Sequence, residues 1–363
     1  MATDTIRVVL SRRLQELPVD RQQWNSLAAA STDSTVFQTY EWFNSWWQAF
    51  GNQRQLFVMT AWNRESLVGI APLMIERHRG LRYLEFVGSP NADYQDFILG
   101  SQPEAVLAAL ATFLATQRHA WDMMALRNLP TESVTSRTLP GLLDAIGIDT
   151  TDVERIACPT LEIAAQPDEI RRRLDAYSFR RRIRRLSSLG ELKYTRCSTT
   201  EELQRYLSPF FAQYSEQRAG SAAARFLGRR EVRAFYAALA HVMLPQGWLH
   251  FSVLECGGRP VAFHFGFEYG GRLYWYKPCY DPAVARMSPG KVLLSYLIRD
   301  ALDRNLDELD FTVGAEPFKY RFTRSQRTNV TLRAFSRRWL HQSFRGIAWA
   351  RRQLSNRSGS GRQ

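Results

Sequence analysis

Between residues 286 and 291 the chain reads Arg-Met-Ser-Pro-Gly-Lys, a run whose residue types suit the capture of an anion. Ser288 has the side chain of a helix N-cap, Pro289 fits a first turn where its missing N–H would have no partner, and Gly290 leaves the backbone uncovered. The free amides, the positive end of the helix macrodipole and the charges of Arg286 and Lys291 would together attract a phosphate, with Met287 completing the turn. The plain alternative is a helix start that binds nothing. His264 alternates with Val261, Phe263, Phe265 and Phe267, so it points to the other face of its strand beside Ala262, Gly266 and Glu268. Small neighbours leave room for a substrate there, which makes His264 a candidate general base as well as a candidate structural histidine. In residues 91–96, Asn-Ala-Asp-Tyr-Gln-Asp, Asp93 is a candidate for gripping an acceptor across a cleft, although Asn and Asp are also ordinary turn residues.

These groups need elements to hold them. Residues 249–255, 261–268 and 273–277 are alternating or apolar, and paired glycines at 257–258 and 270–271 separate them, which predicts a three-strand antiparallel meander. After Gly290, the series Leu293, Leu297, Ala301 and Leu294, Ile298, Leu302 forms two i+4 ridges, the broad buried stripe of a helix running to Asn305. A short strand is expected over 307–313, ended by Gly314, and a further one over 329–335.

This order resembles the GNAT acetyltransferase superfamily, with 286–290 standing where that superfamily's glycine-rich pyrophosphate loop stands. Residues 309–322, Leu-Asp-Phe-Thr-Val-Gly-Ala-Glu-Pro-Phe-Lys-Tyr-Arg-Phe, are similar to the signature of the CelD-like, FemAB-related branch, with Ala315 in place of the first of two acids. The resemblance implies an α/β fold with a mixed sheet and an acyl-CoA bound by Arg286, Met287, Ser288, Pro289, Gly290 and Lys291. It also implies transfer of the acyl group to an amine or hydroxyl of a sugar, amino acid or cell-envelope precursor. Tyr320 then stands where such enzymes often carry the tyrosine that protonates the leaving thiolate, or it is a core aromatic. Lys319 and Arg321 would hold an acidic group or sit in solvent. No serine elbow or Cys/His pair of recognisable spacing is present, so direct attack is expected and not an acyl-enzyme. The related branch also contains enzymes with an aminoacyl-tRNA donor, and a non-catalytic partner in polysaccharide assembly is a third reading.

The chain repeats itself. Residues 56–76 align without gaps on 249–269, and 37–51, 104–118 and 121–128 resemble 206–220, 291–305 and 308–314. The same order twice predicts duplication, and the resemblance to double-domain acyltransferases of the FemAB-like branch implies a degenerate GNAT-like domain over 1–150 and an acyl-CoA-binding one over 151–336, followed by a basic amphipathic helix and tail over 337–363. The first copy has Ser101-Gln-Pro-Glu104 at its helix start, where Glu104 suits a helix with no anion bound.

Of 363 residues, 45% are apolar, enough to fill two cores. The net charge of +13 is concentrated in two places, eight arginines within 171–185 and eight within 333–363. The first reads as one basic helix, either solvated or a ledge for CoA phosphates, a glycan, lipid headgroups or tRNA. The second reads as a helix that docks on its own domain or rests on an anionic inner membrane surface through 337–354. Sparse aromatic interleaving argues against other nucleic-acid recognition. Four scattered cysteines give no metal spacing and no disulfide framework, and no leader or bilayer-length run is present, so a cytoplasmic protein is expected, peripheral at most.

Overall fold

The computed structural model describes residues 5–344, apart from 33, 338 and 343. The first part of the chain forms β1 (Ile6–Ser11), α1 (Arg21–Ala30), α2 (Tyr40–Phe50), β2 (Gln55–Asn63), β3 (Ser66–His78), β4 (Leu81–Phe86), β5 (Ile98–Leu99), α3 (Pro103–Thr116), β6 (Met123–Pro130), α4 (Val134–Ala145) and β7 (Asp149–Glu162). The rest forms α5 (Pro167–Leu174), α6 (Tyr177–Ser187), β8 (Leu192–Arg196), α7 (Thr200–Gln217), α8 (Ala222–Leu227), α9 (Arg230–Met243), β9 (Leu249–Cys256), β10 (Arg259–Tyr269), β11 (Arg272–Tyr280), α10 (Pro289–Asp303), β12 (Glu308–Asp310) and β13 (Gln326–Phe335).

Two compact units result. One contains Met1–Gln38, Gly51–Arg155 and Thr328–Gln363, the other Thr39–Phe50 and Ile156–Arg327. The first has strand order β1-β2-β3-β4-β6-β13, with β5 beside β3, and the second has β8-β9-β10-β11-β12-β7. In each, four strands run as an antiparallel meander, and the fourth lies parallel to the strand that follows the long helix. Parallel neighbours need a crossover, which α3 supplies in one unit and α10 in the other. A final antiparallel strand closes each order, β13 on β6 and β7 on β12. The doubled order expected from the repeat is therefore present, and the meander over β9 to β11 stands where the spacing placed it.

The compact units are discontinuous in sequence, whereas the repeat predicts contiguous domains divided at 150. Residues 328–335 supply the last strand of the first unit, and α2 packs in the second. The reason for α2 lies in its aromatic face: Trp42 meets Phe235 and Phe267 edge-on at 5.7 Å and Tyr276 at 6.1 Å. These rings belong to a core on one side of the second sheet, where Phe210 also packs on Phe251, Phe263 and Phe265. The other side is covered by α10, whose two predicted ridges are buried against Leu254, Leu273 and Trp275.

The single basic helix expected over 171–185 is two. Ala176 is extended between α5 and α6 (ψ 151°), and Asp175 leaves the helix to meet Arg299 at 2.7 Å. Of the C-terminal helix, Leu340 is buried, the His341 ring stacks on Phe335 at 5.0 Å, and Phe344 meets Phe335 at 5.4 Å, so the described start docks on its own unit. The expectation for 345–363 lies outside the described residues. Among the described residues no helix is long and apolar enough to cross a membrane, and no cluster of His, Cys, Asp or Glu suits a metal.

Candidate active site

The start of α10 differs from the capped start expected. Ser288 takes a left-handed conformation (φ 59°, ψ 47°), and its side chain makes no capping bond. A non-glycine residue there is uncommon. The carbonyl of Ser288 accepts from the amides of Lys291 and Val292 at 3.0 and 3.2 Å. Pro289, at the first helical position, has no N–H to satisfy, and the amide of Gly290 is among the donors that a helix start leaves without an intrahelical partner. Helix α3 begins the same way, with Gln102 at φ 56°, ψ 52° preceding Pro103. The two copies thus share an unusual backbone turn and differ in the residue after the proline, Glu104 in one and Gly290 in the other.

The α10 start opens on a cleft of about 340 Å³ lined by Trp275, Pro278, Cys279, Tyr280, Gly290, Lys291 and Phe318, among others. Its origin is a divergence of strands. β11 pairs with β12 only over Arg272 to Tyr274 and then runs on to Tyr280, leaving β12 behind. The segment after β12, which leads to the cleft residue Phe318, is held by unusual means. Thr312, a β-branched residue at φ 56°, gives its amide to Asp310 Oδ1 (2.7 Å) and its hydroxyl to the Trp275 carbonyl (3.3 Å). Strain of that kind persists only where surroundings enforce it and clusters at functional sites.

Cations crowd this end. A cavity of about 260 Å³ beside the turn is lined by Arg181, Arg182, Arg185 and Arg286, and one of about 290 Å³ by Arg173, Arg182, Lys291 and Arg321. Both lie against α6, so the first basic patch of the sequence stands at the predicted phosphate turn. Burial holds the Lys291 ammonium below its ordinary pKa, and Arg321 and Arg182 lower it further by repulsion. Such a cluster is relieved by an anion. At the far rim Arg218 donates to the Pro278 carbonyl (2.9 Å) with its guanidinium over Tyr214. Cys279 lines the cleft, but burial pushes its thiol pKa well up, so it stays a thiol and not a thiolate nucleophile.

The three candidate catalytic residues are not brought together in the cleft. His264 does face away from the phenylalanines of β10, as its alternation required, yet it has no exposure. The space left by its small neighbours is filled: Trp275 stacks on its ring, and a Cβ on Gly266 would lie 2.3 Å from it. Its Nε2 donates to the Tyr274 carbonyl at 3.2 Å, and burial, with His250 nearby, holds its pKa well below the ordinary value. It is a neutral interior group. Tyr320 donates to Gln326 Oε1 at 2.7 Å and lines a separate cavity of about 560 Å³ with Glu162, Glu169 and Arg324. Asp93 is buried in the first unit, where its carbonyl accepts from Asn329 Nδ2 at 2.8 Å. Lys319, expected to hold a substrate or sit in solvent, is buried, and its ammonium caps the carbonyls of Thr312, Val313 and Gly314 at 2.9 to 3.3 Å while pairing with Glu316 at 2.8 Å.

Sequence reasoning missed Trp275, Tyr280, Phe318 and Arg218 as cleft residues. Only Phe318 lies in a motif, the 309–322 signature, and their common position depends on where β11 parts from β12.

The comparisons with known proteins concern the fold. Residues 159–320 match the family model of the acetyltransferase (GNAT) domain. No curated protein matches the chain. Among solved structures, that of FemX is 10% identical with a TM-score of 0.61, covering 87% of this chain and 96% of that one. The C-terminal domain of a putative lysylphosphatidylglycerol synthetase from Agrobacterium fabrum is 9% identical with a TM-score of 0.52, over 86% and 90% of the two chains. The structure of L-PGS from Bacillus licheniformis gives 10%, 0.50, 88% and 92%. At these identities the likeness is one of fold. The chain is a mixed α/β protein whose two units repeat one GNAT-like strand order, and the match to the GNAT acetyltransferase domain falls within the second unit.

Proposed function

We propose that the protein is an acyltransferase that takes its acyl group from an acyl-CoA bound in the second unit and passes it by direct attack to an amine or hydroxyl of a sugar, amino acid or cell-envelope precursor. One observation carries the reading: an uncovered helix start at Gly290, ringed by Lys291, Arg182 and Arg286, faces the gap where β11 leaves β12. In this reading the Gly290 amide and the cations hold the diphosphate, while the open edge of β11 beyond Tyr274 aligns the extended arm that bears the thioester. The acceptor's lone pair attacks the thioester carbon, the C–S bond breaks, and the sulfur leaves as thiolate and takes up a proton. The first unit, with Glu104 where the second has Gly290, is a degenerate copy without a donor. Release of free thiol from acetyl-CoA or longer acyl-CoAs in the presence of amine and hydroxyl acceptors tests the reading, and absence of any acyl-CoA binding by calorimetry removes it.

The density of guanidiniums on α6 favours one second reading, a donor richer in phosphates such as aminoacyl-tRNA, for which affinity would fall steeply with salt. A thermal-shift series across CoA, acyl-CoAs and tRNA separates the two, because a ligand of the native state alone raises its stability.

A further inference from the structure

In the first unit, β4, β6 and β13 lie side by side, and their registers align three residues in one row. Tyr83 and Leu84 of β4 sit beside Met123 and Met124 of β6, which brings Glu85 beside Ala125, and Ala125 pairs directly with Arg333 of β13. Leu84, Met124 and Ala334 point into the core, so Glu85, Ala125 and Arg333 share the opposite face. An acid and a guanidinium thus flank a small alanine, their Cα atoms two strand spacings, roughly 10 Å, apart. Above this floor is a cavity of about 560 Å³, its walls including Glu76, Tyr83, Arg127 and Phe344.

The acid has an ion-pair partner, whereas the guanidinium of Arg333 is incompletely served. Glu85 is buried and meets the Arg127 guanidinium at 3.3 Å, and burial raises its carboxyl pKa against the pull of Arg127. Arg333 lies with its guanidinium over the Phe344 ring at 4.7 Å, and its buried Nε–H has no acceptor among the described residues. Burial first, and then Arg127, lower the Arg333 pKa, with Glu154 and Glu85 opposing. A buried donor of this kind favours a ligand that can accept from it. A purely anionic ligand would meet Glu76 and Glu85, and a purely cationic one would meet Arg127 and Arg333. A ligand with both charges a few ångströms apart answers both ends, and the rings of Tyr83 and Phe344 offer an apolar rim to whatever side chain it bears.

We propose that this cavity binds the zwitterionic head group of an α-amino acid, its ammonium toward Glu85 and its carboxylate toward Arg333. The proposal stands apart from the choice of donor in the second unit. It is tested on the full chain by calorimetric titration with each of the twenty common L-amino acids, followed by the N-acetyl and amide derivatives of the tightest ligand. At least one amino acid should bind, and blocking either charge should weaken binding tenfold or more. Glu85→Gln and Arg333→Met, checked for folding by thermal melts, should each weaken it by a similar factor. Absence of binding by all twenty at millimolar concentration overturns the proposal, as does equal binding of the blocked derivatives to the wild-type chain. Unchanged affinity in both folded variants overturns it as well.

Discussion

The indole of Trp275 lies face to face with the imidazole of His264, centroids 4.7 Å apart and planes 9° from parallel. The stack seals His264 between β10 and the side of the sheet covered by α10, and the Tyr274 carbonyl fixes its proton on Nε2. Folded His264 therefore resists protonation, with its pKa well below the ordinary value.

Stability should depend on pH accordingly. Below about pH 6.5 the unfolded chain binds a proton at this histidine that the folded chain does not, so stability is full above that value and falls as pH drops. Between pH 7 and pH 5 this group should account for about 2 kcal/mol of lost unfolding free energy. Urea titrations of the wild type and His264→Gln at the two pH values check this: the variant's loss should be smaller by about that amount, and identical losses would contradict it.

Gly290→Glu places in α10 the residue that α3 carries at its start. In the proposed reading the carboxylate would take the place of the diphosphate before the amides and cations, and CoA affinity should fall at least a hundredfold, near 3 kcal/mol. Gly290→Ala is the milder probe, since its Cβ would meet Tyr280 Cδ1 at 3.3 Å. A loss of a few fold is expected from it in the same calorimetric titration.

Lys319→Met removes the ammonium that gathers three carbonyls after the end of β12, that of Thr312 buried and the other two partly so, and leaves them without it. A destabilisation of about 2–4 kcal/mol is expected in urea denaturation. The segment from Thr312 to the cleft residue Phe318 should loosen with it, so that KM for the donor rises while the variant remains folded.

Tyr320→Phe deletes a hydroxyl engaged with Gln326 on a cavity apart from the α10 cleft. Turnover should stay within about threefold of wild type, whereas a general acid typically contributes 10²–10⁴-fold. A hundredfold fall in kcat with unchanged stability would return Tyr320 to the chemistry.

Much of the fold is legible in the sequence because it rests on local periodicity. The alternation in β9 and β10, the ridges of α10 and the resemblance between 56–76 and 249–269 all report which face of an element is buried, and that is the property duplication preserves. The start of α10 is readable from Pro289 and Gly290, although the left-handed Ser288 is not, since serine gives no sign of a conformation forced by the turn around it. Long-range choices stay hidden. Nothing near Trp42 says that its partners are Phe235, Phe267 and Tyr276, and nothing in 329–335 says that the strand pairs with β6. Alternation gives the face of His264 correctly and its access wrongly, because the ring that covers it belongs to the next strand.

The return of β13 to the first unit has a consequence for how this chain can be made and cut. A fragment ending near residue 150 would leave β6 without β13, its row of amides and carbonyls open to other chains, and the complementary fragment would carry β13 without the β6 it pairs with. Neither half is complete by itself, so two lobes that repeat one pattern have become mutually obligate, and synthesis of the earlier lobe is finished only when the last described strand emerges.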